Sequence, residues 1–96
     1  MDFFQRATQI PDLLTRHTPY IHLEKPTSLG WKFWAIVATP VAVAIRWARY
    51  GCKAKELILT RQRCQGQSPL EEMRIRTLTK IREGYVVDSN KTNLST

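Results

Sequence analysis

The stretch WKFWAIVATPVAVAIRWARYGCKAK, residues 31–55, is the only strongly apolar segment of this 96-residue chain. Lys32 and Arg46 are separated by 13 uncharged residues, and Pro40 stands among them. That run is short for a membrane span, whereas a proline inside a water-soluble helix costs about 3 kcal/mol. Whether the segment crosses a bilayer or forms the core helix of a small soluble domain decides most of the functional prediction.

The borders of the segment favour a membrane-spanning helix over residues 29–51. A hydrocarbon core about 30 Å thick requires about 20 helical residues, and the stretch from Trp31 to Tyr50 contains 20. Within residues 33–45, Thr39 is the one polar side chain, so the block lacks the polar face of a soluble helix. The aromatic residues expected to anchor the span at the two membrane interfaces are Trp31, Trp34, Trp47 and Tyr50.

Flanking charge predicts the orientation of the span. The chain has a formal charge of +7, and residues 46–96 hold 11 basic against 5 acidic side chains. Since basic segments stay on the inner side of a membrane, the C-terminal half is expected there. The side chains expected to contact lipid headgroups are Lys32, Arg46, Arg49, Lys53 and Lys55. The residues expected at a helix–helix contact, with a kink at the proline, are Ala38, Pro40 and Ala42.

The remaining chain reads as polar or basic arms around this span, which makes the predicted fold all-α with no independent globular core. Residues 68–84 carry the best local signal. Ser68 is placed as an N-cap, Pro69 occupies the first helical position, Glu71 completes a capping box and Gly84 is a stop. The predicted layout is an N-terminal arm at 1–28, the transmembrane helix at 29–51, a basic helical extension at 52–66, an amphipathic helix at 68–84 and a polar tail at 85–96.

No pattern of residues indicates chemistry. The sequence has no glycine-rich phosphate loop, no HExxH and no CxxC, so we expect neither an enzyme nor a cofactor nor a small-molecule substrate. His17 and His22, with only Glu24 nearby, are too few for a metal site. Cys52 lies at a position open to palmitoylation; it could also pair with Cys64, although the predicted location on a reducing side favours free thiols.

A central span with Trp and Arg borders, followed by a charged helix at 68–84, resembles the small single-span accessory subunits of mitochondrial respiratory-chain complexes and ATP synthase. The resemblance implies a non-catalytic role in stabilising the assembly of a larger complex. It also implies a place in the mitochondrial inner membrane, with the C-terminal half in the matrix. The partners implied are other membrane subunits and an anionic phospholipid such as cardiolipin.

Two alternatives stay open. The first is a basic anchor or adaptor on a membrane surface, which would use the same headgroup contacts. The second is nucleic-acid binding through the basic residues of the C-terminal half. Because the sequence shows no known motif and no aromatic stacking platform, it favours the absence of a nucleic-acid partner. The basic residues concerned are Arg61, Arg63, Arg74, Arg76, Lys80 and Arg82.

Overall fold

The computed structural model describes residues 19–93, which form a five-stranded antiparallel sheet with one α-helix packed on one face. Along the sheet the strands follow the order β4-β3-β2-β1-β5. The elements are β1 (Tyr20–Thr27), β2 (Gly30–Ala38), β3 (Ala42–Arg49), β4 (Lys55–Thr60), α1 (Pro69–Arg82) and β5 (Val86–Val87).

The predicted transmembrane helix at 29–51 is wrong, because this stretch forms the central hairpin of β2 and β3. Its apolar residues are buried on both faces of the sheet: Ile36 faces α1, Val37 faces the opposite side, and both are fully buried. A strand covered on both faces reads as a continuous apolar run, which resembles a span in sequence. The β-branched residues of the run also favour a strand.

The correction extends to the fold class and the membrane assignment. The fold is a mixed sheet-and-helix structure rather than all-α. Within residues 19–93, no helix is both long enough and apolar enough to cross a bilayer. The prediction of a single-pass integral membrane protein in the mitochondrial inner membrane is therefore not supported.

Pro40 lies in the turn between β2 and β3 and kinks no helix. Thr39 organises this turn, since its Oγ1 accepts hydrogen bonds from the backbone N–H groups of Val41 (3.3 Å) and Ala42 (3.1 Å). A proline suits such a turn because no ladder hydrogen bond is required of it there. Ala38 and Ala42, expected at a helix–helix contact, are instead buried at the ends of the two strands.

The basic helical extension expected at 52–66 is instead β4, an edge strand, followed by two short 3-10 turns at Arg61–Arg63 and Gln65–Gln67. Cys64, between these turns, is buried, and its thiol donates to the carbonyl of Thr60 at 3.4 Å. Cys52 is exposed, and both cysteines are free thiols.

The helix predicted at 68–84 is confirmed, with bounds Pro69–Arg82. Ser68 caps it by accepting a hydrogen bond from the Glu71 N–H at 3.2 Å. The Glu71 carboxylate pairs with Arg74 at 2.5 Å instead of returning to the N-cap, so only half of the expected capping box is seen. The side chains of α1 and of the facing strands form the main core, which includes Leu23, Trp34, Ile36, Ile45 and Met73.

Gly84 ends the helix, as the sequence predicted. Its φ is +101°, in the left-handed region, and its N–H donates to the Ile81 carbonyl at 3.0 Å. The next N–H, of Tyr85, donates to the Lys80 carbonyl at 3.1 Å. These two bonds form a Schellman motif, which turns the chain so that Tyr85 is buried against the sheet.

Both ends of the predicted layout also contain strand. The N-terminal arm at 1–28 contains β1, while residues 1–18 lie outside the described residues. The polar tail at 85–96 contains β5, which pairs with β1. Asn93 forms a further bridge to Tyr20. The two described ends of the chain therefore meet on β1.

Candidate functional site

A basic cleft of about 410 Å³ lies at the end of the sheet that carries the β1–β2 and β3–β4 turns. Five cationic side chains line it, and none of its described lining residues is acidic. The lining residues, which define what we call the basic cleft, are Lys32, Phe33, Trp47, Ala48, Arg49, Cys52, Lys53, Lys55, Lys80 and Tyr85.

The register of the strands brings these cations together. Lys32 on β2 lies directly opposite Arg49 on β3, and Trp47 lies opposite Lys55 on β4. Paired residues in an antiparallel sheet share a face and lie about 5 Å apart. Cations that are distant in sequence therefore converge on the face of the sheet that α1 covers.

Four of the five predicted headgroup-contact residues line the cleft: Lys32, Arg49, Lys53 and Lys55. The fifth, Arg46, points to the opposite face, because side chains alternate along a strand. Its Nε lies 4.0 Å from an oxygen of Glu56, its cross-strand partner. The structure thus separates Arg46 from the other four.

Tyr85 forms one wall of the cleft and is surrounded by ammonium groups. The Nζ atoms of Lys25, Lys32 and Lys80 lie 5.9, 5.4 and 5.6 Å from the centre of its ring. The ring face attracts each cation, while the three cations repel one another. Burial raises the pKa of the Tyr85 phenol, so the ring stays neutral. A bound anion would relieve the repulsion among the lysines.

Most of the cleft's positive charge is not neutralised within residues 19–93. Lys80 lies 3.3 Å from a Glu83 oxygen, whereas the other four cations form no ion pair with a carboxylate among those residues. A concave surface lined by one sign of charge concentrates ions of the opposite sign. The cleft is therefore suited to an anionic ligand.

The predicted membrane-interface aromatics occupy three different environments. Trp34 is buried in the core beneath α1, and Trp47 is half-buried in the wall of the cleft. Trp31 and Tyr50 are 53% and 46% exposed at the end of the sheet. The N–H of Tyr50 donates to the carbonyl of Trp31 at 2.9 Å, so the two residues are neighbours.

Other aromatic rings adjoin Tyr50 on the face opposite α1. The rings of Phe33 and Tyr50 are 5.4 Å apart, and His22 stacks on the other side of Phe33 at 5.5 Å with an interplanar angle of 9°. We call Trp31, Tyr50, Phe33 and His22 the aromatic row. Its members come from β1, from β2 and from the residue that follows β3. The sequence alone therefore does not show that these rings lie together.

A polar network fixes one end of this row. The Tyr50 hydroxyl donates to Glu24 Oε2 at 2.6 Å, the same oxygen lies 3.0 Å from His22 Nε2, and Lys91 donates to it at 3.3 Å. The hydrogen bond from Tyr50, with those from His22 and Lys91, holds the pKa of Glu24 below its usual value despite some burial. Glu24 is therefore an anion at neutral pH.

The same network contains three groups of the kinds that bind metals. Ligand atoms of His22, Glu24 and Asp88 lie within 4.8 Å of one another. However, the Lys91 ammonium lies 3.3 Å from Glu24 and 3.9 Å from Asp88, so the carboxylates already have a cation. We therefore regard the group as part of the network that joins β1 to the C-terminal segment.

The sequence contains no sign of Tyr85, and it indicates Lys80 only as one of the C-terminal basic residues of the nucleic-acid alternative, because the C-terminal end of α1 reaches the cleft only through tertiary packing. Sequence reasoning missed the cleft itself because Trp47 and Arg49 also fit the aromatic and basic border of a membrane span. No family model, no curated protein and no solved structure matches this chain. The resemblance to mitochondrial accessory subunits thus has no matched relative behind it, and the segment that suggested it forms strands.

Proposed function

We propose that this protein is a non-catalytic nucleic-acid-binding module that holds the phosphate backbone of its ligand in the basic cleft. The observation that carries the proposal is the convergence of five cations on one concave site that also contains the rings of Trp47 and Tyr85. Lysine and arginine side chains that neutralise phosphates supply most of the affinity of sequence-independent binding.

The types of cation in the cleft suit phosphate. Arg49 offers a planar fork that binds two phosphate oxygens at once, whereas the lysines act as point charges. Among the described residues, no Asn, Gln, Asp or Glu lines the cleft, and these are the side chains that commonly read adenine and cytosine edges. We therefore propose that the cations contact mainly the phosphate backbone, which carries no sequence information.

The shape of the site favours nucleic acid over a lipid surface. A membrane anchor presents its cations around an apolar face that enters the lipid interface. Here Lys32 and Lys80 are half-buried in a concave site that also contains aromatic rings. The half-buried ring of Trp47 can pack against a base, because every base has a flat face.

Fluorescence anisotropy with labelled single-stranded and duplex oligonucleotides tests this proposal. The double variant Lys53→Ala/Lys55→Ala removes two exposed cleft cations and should weaken binding about 10-fold or more near 0.1 M salt. It should also reduce the slope of log K against log salt by about 1 to 2. The matched control is Arg63→Ala/Arg82→Ala, which removes two exposed charges outside the cleft.

Two results would contradict the proposal. Equal losses in the two double variants would mean that net charge, rather than the cleft, attracts the oligonucleotide. Binding to vesicles containing phosphatidylserine, with no binding to either oligonucleotide, would identify the protein as a lipid anchor instead.

A further inference from the structure

We propose that the aromatic row stacks unpaired bases, so that the preferred ligand is a nucleic acid with a single-stranded part. This inference rests on the proposed function and names the form of nucleic acid that the site takes. It follows from three features of the row: its exposure, its continuity with the basic cleft and its rigidity.

The exposed end of the row offers ring surface to a ligand. Trp31 and Tyr50 are 53% and 46% exposed, and the bond between their backbones holds them at adjacent strand ends. Large apolar side chains clustered on a surface mark binding sites, and aromatic ones suit bases.

The row continues directly from the cleft. Phe33 is one of the lining residues of the cleft, and its ring packs on the opposite face of the sheet, 5.4 Å from the ring of Tyr50. Trp31 precedes Lys32 on β2, and Tyr50 follows Arg49 at the end of β3. Neighbouring side chains on a β-strand point to opposite faces. At this end of the sheet, Lys32 and Arg49 therefore lie on one face, and Trp31 and Tyr50 lie on the other. A nucleic-acid strand that passes around this end of the sheet can place its phosphates in the cleft and its bases on the aromatic row.

The row is also held in place before a ligand arrives. The hydroxyl of Tyr50 is bound to Glu24 at 2.6 Å, and its ring rests 5.4 Å from Phe33, which in turn stacks on His22. A ring fixed in this way loses little conformational entropy on binding. Duplex DNA keeps its bases stacked on one another and cannot use the row, whereas an unpaired strand can.

The test compares Trp31→Ala with Leu29→Ala, which changes an exposed residue without a ring in the turn that precedes β2. The probes are a fluorescein-labelled oligothymidylate and a blunt duplex of the same length, measured by anisotropy at one salt concentration. Trp31→Ala should weaken single-strand binding about 5- to 100-fold, the effect of removing one stacking ring. Duplex binding should change less than about 2-fold, Leu29→Ala should resemble the wild type, and Trp31→Phe should retain most of the affinity.

Failure of the inference differs from failure of the proposed function. If Trp31→Ala weakens neither probe while Lys53→Ala/Lys55→Ala weakens both, base stacking is overturned and the cleft stands. Equal weakening of both probes by Trp31→Ala also overturns it, because Trp31 would then contact the backbone. If the wild-type protein binds neither probe, both proposals fail.

Discussion

At the residue scale, the buried hydroxyl group of Thr77 lowers the stability of the fold. It lies on the buried side of α1 with 8% exposure, and its hydroxyl has no hydrogen-bond partner among residues 19–93. A buried hydroxyl without a partner costs about 1–3 kcal/mol. Thr77→Val keeps the shape of the side chain and removes the hydroxyl, so we expect the free energy of unfolding to rise by about 1 kcal/mol in urea titrations.

Thr77→Ser is the matched control for that substitution. It keeps the hydroxyl and removes a buried methyl group, so its unfolding midpoint should fall below that of the wild type by about 1 kcal/mol. A Thr77→Val protein less stable than the wild type would contradict the argument, because it would show that the hydroxyl forms a favourable hydrogen bond.

At the scale of elements, the C-terminal turn of α1 at Gly84 positions Tyr85, which lines the cleft. Gly84 has a φ of +101°, and a Cβ built on it lies 3.3 Å from Lys25 Cε. Gly84→Ala should destabilise the fold by about 1–2 kcal/mol, because an L side chain is strained in this region. Since Tyr85 follows directly, oligonucleotide binding should weaken as well. Asparagine tolerates the left-handed region better than alanine, so Gly84→Asn should lose less stability than Gly84→Ala when both variants are measured by thermal unfolding. A larger loss for Gly84→Asn would contradict this account.

How far each element could be predicted depends on how local its signals are. The helix was predictable because Ser68, Pro69 and Gly84 act within a few residues of its ends. The central hairpin was not, because burial on both faces removed the polar alternation that marks a strand, and α1, which covers one of these faces, lies elsewhere in sequence. The cleft was found in part: its cations were singled out as a group, for contact with lipid headgroups. Lys80 joins them only because α1 packs across the sheet.

At the scale of the whole molecule, the network around Glu24 ties together distant parts of the chain. It joins β1 to the β3–β4 turn through Tyr50 and to the C-terminal segment through Lys91, 67 residues further along the chain. The pKa of Glu24 is lowered in the folded protein, chiefly by the hydrogen bond from Tyr50. Folding therefore favours the carboxylate. Its contribution is fully present above the unfolded pKa of about 4.5 and is lost as the pH falls through the lower folded value.

Replacing Glu24 with Gln tests this contribution. The variant should lose about 1 kcal/mol of stability at pH 7, where charge-assisted hydrogen bonds are removed, and should approach the wild type near pH 3. Urea titrations at both pH values measure the difference. Because Arg74 and Arg76 also keep Glu71 and Glu72 anionic, both proteins should still weaken in acid. If the stability gap were the same at both pH values, Glu24 would contribute through packing alone, and the network would not be an acid-sensitive link between β1, the β3–β4 turn and the C-terminal segment.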